Sequence, residues 1–255
     1  MELSEGVIVG CDNNQEWLLP WFWDSYIRYN NYPVTFMDFG MSAKALAFCR
    51  ERGAVLSVPP IILQDVPEER SRSWDVSGEN GFWSVRPKWF CKPSAFILCP
   101  YDRGLWLDLD CKVSGSLQPL FALIDTRDIA LVKDPECTQI LLQEKGIILP
   151  GQVSYNSGVV AFKKGSDPIK LWQREALFYN DRHKGDQDAL NYILYINDIK
   201  VKELPREYNW LMTLGENPKA LISHYLSGGE KNRLLKEMKK ELINQVQDLL
   251  QSISI

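Results

Sequence analysis

Arg103-Gly104-Leu105-Trp106-Leu107-Asp108-Leu109-Asp110 is the stretch that decides how the rest of the chain is read. An apolar run of strand character ends abruptly in two carboxylates one residue apart. In an open parallel sheet, ligands bind beyond the carboxyl ends of the strands, so the pattern puts Asp108 and Asp110 at the lip of a crevice. Two hard oxygen donors there suit Mg²⁺ or Mn²⁺ shared with a diphosphate. The same acids also read as turn residues that punctuate a strand end, and the triplet alone does not choose between the two.

Upstream, strands alternate with helices. Gly6 to Gly10 is a short β-branched run that empties into Cys11-Asp12-Asn13-Asn14, a loop of helix-capping residues. A helix is expected through Trp17, Leu18, Trp21, Phe22, Tyr26 and Tyr29, with Pro20 near its first turn. Val34 to Phe39 is a second strand, and a helix follows from Ser42 to Arg52 with Gly53 as its C-cap glycine. Ala54 to Val58 reads as a third strand. This opening is that of a nucleotide-binding half. Gly10, Asp12 and Asn13 at the end of the first strand, and Asp38 at the end of the second, are its candidate nucleotide contacts. Gln64 to Arg86 is polar, carries Pro67, Gly78 and Gly81, and still holds Trp74, Phe82 and Trp83. It reads as a long loop, either a substrate lid or a surface excursion with its aromatics tucked onto the core. Pro87 to Leu98 reads as a helix.

Downstream, strands are expected at Ile129–Val132, Tyr155–Phe162, Ile199–Leu204 and Ala220–His224, with helices at Pro168–Tyr179 and Gln187–Tyr195. The whole is an α/β fold, a Rossmann-like mixed but mostly parallel sheet flanked by helices, over residues 1–229. Residues 230–255 form a terminal amphipathic helix with a stripe of Leu235, Met238, Leu242, Val246, Leu249 and Ile253. That stripe packs on the domain, or else serves as the seam of a homodimer or lies on a membrane surface.

A chain of 255 residues with net charge −4 shows no basic face, which argues against a nucleic-acid partner. None of its six cysteines forms a CxxC pair. We read them as reduced, in a cytoplasmic protein. The N-terminus lacks the basic stretch and apolar core of a secretory signal, and no run approaches the roughly 18 apolar residues of a membrane span. His183, in Asp181-Arg182-His183-Lys184, reads as a solvated turn residue. His224, at the end of an apolar run, is a fitting third ligand for Mn²⁺ beside two carboxylates.

Four blocks carry a family resemblance. The Leu105–Asp110 run, preceded by Lys92-Pro93 and Tyr101-Asp102-Arg103, resembles the central strand and DxD motif of GT-A glycosyltransferases, family 8 in particular. Tyr155-Asn156-Ser157-Gly158-Val159-Val160-Ala161-Phe162 is similar to its N-S-G strand, and Gly185-Asp186-Gln187-Asp188-Ala189-Leu190-Asn191 to its D-Q-x-x-L-N helix start. Ile222-Ser223-His224-Tyr225, followed by Gly228, Gly229 and Lys231, is similar to its closing H-F-x-G-x-x-K segment. Here the lysine falls one residue later and no Pro-Trp follows, which puts its phosphate role in question. The resemblance implies a hexosyltransferase that uses a UDP-sugar, UDP-glucose or UDP-galactose first, with retention of configuration. It implies Mn²⁺ or Mg²⁺ on Asp108, Asp110 and His224. Donor contacts would come from Lys92, Leu109, Asn156, Ser157, Gly158, Gly228 and Lys231, with Asp186 and Gln187 against the reacting sugars. Two rival readings stay open: a nucleotidyltransferase of similar fold, and a sugar- or nucleotide-binding protein with little turnover. The loop after the first strand, acidic and without glycine, argues against the first.

Overall fold

In the computed structural model, which describes residues 4–74, 81–124 and 127–253, the strand Arg103–Leu107 (β4) stands at the centre of a seven-stranded sheet. The strands Glu5–Cys11 (β1), Val34–Asp38 (β2) and Ala54–Ser57 (β3) extend it in parallel on one side. On the other side come Tyr155–Lys163 (β7), Ile129–Lys133 (β6) and Lys202–Glu203 (β8). β7 runs antiparallel to both of its neighbours, while β6 and β8 pair in parallel, so the sheet is mixed and mostly parallel. Reversing β7 sets its first residues beside the last residues of β4. Leu107 pairs with Val159, and the Asp108 amide donates to the Gly158 carbonyl at 2.8 Å.

Side chains alternate across this sheet with the period of two that strands impose. Val7 and Val9 face one apolar cluster with Phe22 and Tyr26 of α1 (Leu19–Ile27) and Cys49 of α2 (Ala43–Arg50). Ile8 and Trp106 face the other, formed with Phe96 of α4 (Phe82–Ile97), Trp172 of α7 (Asp167–Phe178) and Leu190 of α8 (Asp186–Ile196). A second, three-stranded sheet joins Cys111–Val113 (β5), Ile222–His224 (β10) and Trp210–Leu211 (β9). A strand was expected at Ala220–His224; only Ile222–His224 pairs, and it does so outside the main sheet. With Ile222 and His224 buried and Ser223 between them half-buried, so short a run carries no signal of which sheet it joins.

Other departures have local causes. The expected helix at Pro87–Leu98 begins five residues earlier, at Phe82, and contains both Pro87 and Pro93. Much of the supposed loop Gln64–Arg86 is therefore helical, since α3 (Glu68–Ser73) also lies in it; Gly78 falls outside the described residues. Arg86 anchors this region. Its side chain is 1% exposed, and its guanidinium donates to the carbonyls of Lys184 at 3.1 Å, His183 at 2.9 Å and Asn180. Burial lowers its pKa to about 10. His183, expected in solvent, is buried with its Nε2 2.7 Å from Glu175 Oε1. Two short helices, α5 (Gln118–Leu123) and α6 (Glu136–Glu144), and strands β5 and β9 carried too little periodicity to be seen. Of the strand expected at Ile199–Leu204, only Lys202 and Glu203 pair.

The terminal helix α9 runs from Gly228 to Ile253, two residues longer at its start than its stripe suggested. Leu234 is buried in the first cluster and Met238 packs against it, so the helix is seated on the domain at this end. Leu242, Val246, Leu249 and Ile253 lie outside the described side chains.

Gly53 is not the left-handed cap its position suggested. It sits where a Cβ would lie 2.1 Å from the Val34 carbonyl oxygen, so glycine is needed to let the α2–β3 connection pass under β2. Gly53→Ala forces backbone apart and should destabilise the fold by about 1–3 kcal/mol, measured by urea unfolding. An unchanged midpoint would show that the connection can shift freely.

Candidate active site

A cavity of about 860 Å³ opens beyond the carboxyl ends of β1 and β4, where the sheet geometry expects a ligand. Asp108 leaves the end of β4 and accepts hydrogen bonds at Oδ1 from Trp106 Nε1 at 2.7 Å and from Lys92 Nζ, on α4, at 2.9 Å. Asp110 lies deeper, and its Oδ2 pairs with Lys231 Nζ of α9 at 2.7 Å. The small sheet brings His224 in from far along the chain. β10 pairs with β5 so that His224 lies opposite Cys111, and the Tyr225 amide donates to the Asp110 carbonyl at 3.0 Å.

The His224 ring is 1% exposed, with Nε2 3.2 Å from Asp110 Oδ1 and 3.7 Å from Asp108 Oδ2. Close as they are, the first two atoms are not aligned for a hydrogen bond, and neither has another partner. Two buried polar atoms left unsatisfied at one point call for an explanation. A carboxylate pair with an imidazole nitrogen is a donor set that Mn²⁺ or Mg²⁺ accepts, so the residues fit a divalent ion. Cys111 Sγ lies within the same cluster, but burial, reinforced by Asp110 and Asp108, pushes its thiol well up and out of the thiolate form. Burial disfavours the Asp110 carboxylate too, yet His224 when its ring is protonated, together with Lys231, more than offsets this and holds its pKa below the usual range.

A second network adjoins the first. Ser157 Oγ accepts from Lys92 Nζ at 3.2 Å and donates to Asp186 Oδ2 at 3.2 Å. The Ser157 amide donates to Gln187 Oε1 at 3.0 Å, and Gln187 Nε2 donates to Asp134 Oδ2 at 3.1 Å. Burial alone would lower the Lys92 ammonium, but the Asp108 and Asp186 carboxylates raise it. Burial raises the Asp186 carboxyl to about 6, against the opposing pull of Lys92. Asp188, an acid in the first turn of α8, closes that helix start by accepting from the Gly185 amide at 2.9 Å.

The structure gathers Gly10, Asp12, Lys92, Asp108, Leu109, Asp110, Ser157, Asp186, Gln187, His224, Gly228 and Lys231 around the one cavity. Asn13, Asp38, Asn156 and Gly158 do not line it. Asp38 Oδ1 accepts from the amides of Gly40 and Met41 at 2.8 and 2.7 Å, closing the turn after β2. Gly158 leaves its space to the imidazole: a Cβ there would lie 2.0 Å from His224 Cε1. Asn156 is buried and reaches Asn209 Nδ2 at 2.8 Å. Gly10 holds room for Phe39 and Trp106, which a Cβ would meet at 2.3 and 2.6 Å. Sequence reasoning missed Val85, Lys88 and Trp89, which share a cavity wall with Lys92. Their spacing of three, four and seven marks one helix face, and starting the helix at Pro87 left Val85 off it. A smaller cavity of about 190 Å³ abuts the first at Lys184 and Asp188 and is further lined by Arg70, Trp74, Arg182 and His183.

The sheet, its reversed β7 and the crevice beyond β4 make this a GT-A glycosyltransferase fold. The family model for glycosyl transferase family 8 matches residues 89–235, more than half of the chain, and the protein belongs to that family. The galactosyltransferase LgtC, solved with donor and acceptor sugar analogues, is similar at a TM-score of 0.60 and 18% identity, covering 88% of this chain and 87% of its own. Mouse xyloside xylosyltransferase 1 is similar at 0.55 and 15%, over 87% of this chain and 97% of its own. The glycosyltransferase GlyE of Streptococcus pneumoniae TIGR4 is similar at 0.56 and 17%, over 89% of this chain and 55% of its own. No curated protein matches by sequence.

Because the Asp186 carboxyl titrates near 6 rather than 3.8, the folded state holds its proton longer than the unfolded chain does. Ionising it therefore costs stability as pH rises through that window. Asp186→Asn should raise the melting temperature at pH 8, with the gain shrinking as pH falls through about 6 towards 4. A gain independent of pH in scanning fluorimetry would contradict this origin.

Proposed function

We propose that this glycosyltransferase moves a hexose, from UDP-glucose or UDP-galactose, to an acceptor that enters over Lys184 and Asp188. The observation that carries the reading is the approach of Asp108 and Asp110 to His224 Nε2, at 3.7 and 3.2 Å, with Asp110 Oδ1 and His224 Nε2 buried and unpartnered. These three residues would hold Mn²⁺ or Mg²⁺, which when bound neutralises charge on a departing diphosphate. Lys92 and Lys231, each already paired with one of the carboxylates, stand on either side to bind the same phosphates. Gly228, the first residue of α9, lines the same wall, where a helix N-terminus favours an anion.

The nucleotide would lie towards Gly10, Asp12 and Phe39, and the donor sugar towards Ser157, Asp186 and Gln187, whose mutual hydrogen bonds fix their orientation. Trp89 and Val85 wall this end against water. Retention is favoured because neither acid of α8 is free to act as a base: Asp188 caps the helix, and Asp186 is tied to Ser157 and faces Lys92. The smaller cavity, with Arg70, Arg182 and Lys184 around it, is the natural seat of the acceptor. Residues 1–229 then form the transferase domain, with 230–255 as a helical appendage. No helix among the described residues is long and apolar enough to cross a membrane. Six free cysteines, five of them buried, fit a cytoplasmic enzyme.

Isothermal titration with UDP, with and without Mn²⁺, on the native chain and on Asp110→Ala, tests the donor site. Binding should require Mn²⁺ and vanish in the variant. A folded protein that binds no UDP under either condition would remove the UDP-sugar donor.

A further inference from the structure

The Asn156 side chain faces away from the cavity, and what it does there bears on His224. The Gly158 backbone N–H, which can only donate, bonds to Asn156 Oδ1 at 2.9 Å and so fixes which end of that amide is oxygen. The same Oδ1 lies 2.8 Å from Asn209 Nδ2, so the second amide must present its NH₂ to the first. Asn209 Oδ1 is thereby turned to His224 Nδ1, at 2.9 Å, and an amide oxygen can only accept. His224 Nδ1 must therefore carry a proton. We propose that Asn156 and Asn209 are positioning residues that relay the direction of one backbone N–H to His224, fixing its neutral ring as the Nδ1–H tautomer with the Nε2 lone pair aimed at Asp108 and Asp110.

Each link is buried: Asn156 is 5% exposed, Asn209 1% and His224 1%, so water does not compete for these bonds. Gly158 serves the relay twice, donating the hydrogen bond that starts it and lacking the Cβ that would strike the ring it ends on. β7 supplies Asn156 and Gly158, the 3₁₀ turn Arg206–Asn209 supplies Asn209, and β10 supplies His224, so the relay also ties the large sheet to the small one. Histidine free in water prefers its proton on Nε2, the nitrogen that here faces the carboxylates, so without the relay the ring would present an N–H where a ligand nitrogen is needed. This deepens the proposed function, since it rests on His224 as a metal ligand.

The chain has only two histidines, so ¹⁵N-histidine NMR of the metal-free protein reads the tautomer directly, at about pH 9, above the ordinary imidazole range. The expected result is a protonated Nδ1 and a bare Nε2 on His224. Asn209→Leu should shift the ring towards the Nε2–H form and weaken Mn²⁺ binding, titrated with UDP, by about 10–100-fold. Asn209→Asp, which keeps an acceptor for Nδ1–H, should retain the tautomer and serves if the leucine variant fails to fold. A native ring protonated on Nε2, or an unchanged tautomer in Asn209→Leu, would overturn the relay. A native ring of the expected tautomer that binds no Mn²⁺ would leave the relay standing and refute the metal site instead.

Discussion

Asp108, Asp110 and Asp186 share one crevice, the last two withdrawn from bulk water, and so much negative charge persists there only with cations built in beside it. Lys92 sits between Asp108 and Asp186, and Lys231 sits on Asp110. The two lysines come from helices far apart in the sequence, α4 and α9, so charge compensation draws both onto the carboxyl end of the sheet. Where compensation is incomplete, chemistry is left over: an unpartnered oxygen and nitrogen at Asp110 and His224, and a carboxyl at Asp186 that burial raises to about 6.

The reversal of β7 makes the arrangement work. An antiparallel neighbour lays its first residues against the last residues of β4, so Ser157 meets Lys92 while Gly158 meets Asp108. Had β7 run parallel, Asn156, Ser157 and Gly158 would have stood at the opposite edge of the sheet. The small sheet adds the second constraint, holding His224 across β5 from Cys111, the residue that follows Asp110.

Much of this was legible in the residues. The strand-then-acid pattern at Leu105–Asp110, the opening alternation and the four motif blocks identified the fold and most of the residues that meet in the crevice. Periodicity failed where a proline stood for a boundary it did not make, leaving Val85 off the helix face that carries Lys88, Trp89 and Lys92. It also failed where a contact follows no helix or strand period, as with His183 turned onto Glu175 rather than into solvent, or Gly53 beneath Val34.

What the sequence determined by itself is which chemical groups are present and which lie next to each other along the chain: acids at a strand end, a histidine at another, amides and a glycine in a third. Local pattern encodes these because strand and helix periods are set by the backbone over a few residues. Tertiary structure alone decided strand direction, the separate small sheet and the partner each polar atom finds. Those depend on contacts between segments distant in sequence, where burial fixes who must satisfy whom. Asn156 shows the difference: its motif suggested a sugar contact, and its burial turned it instead towards Asn209 and His224.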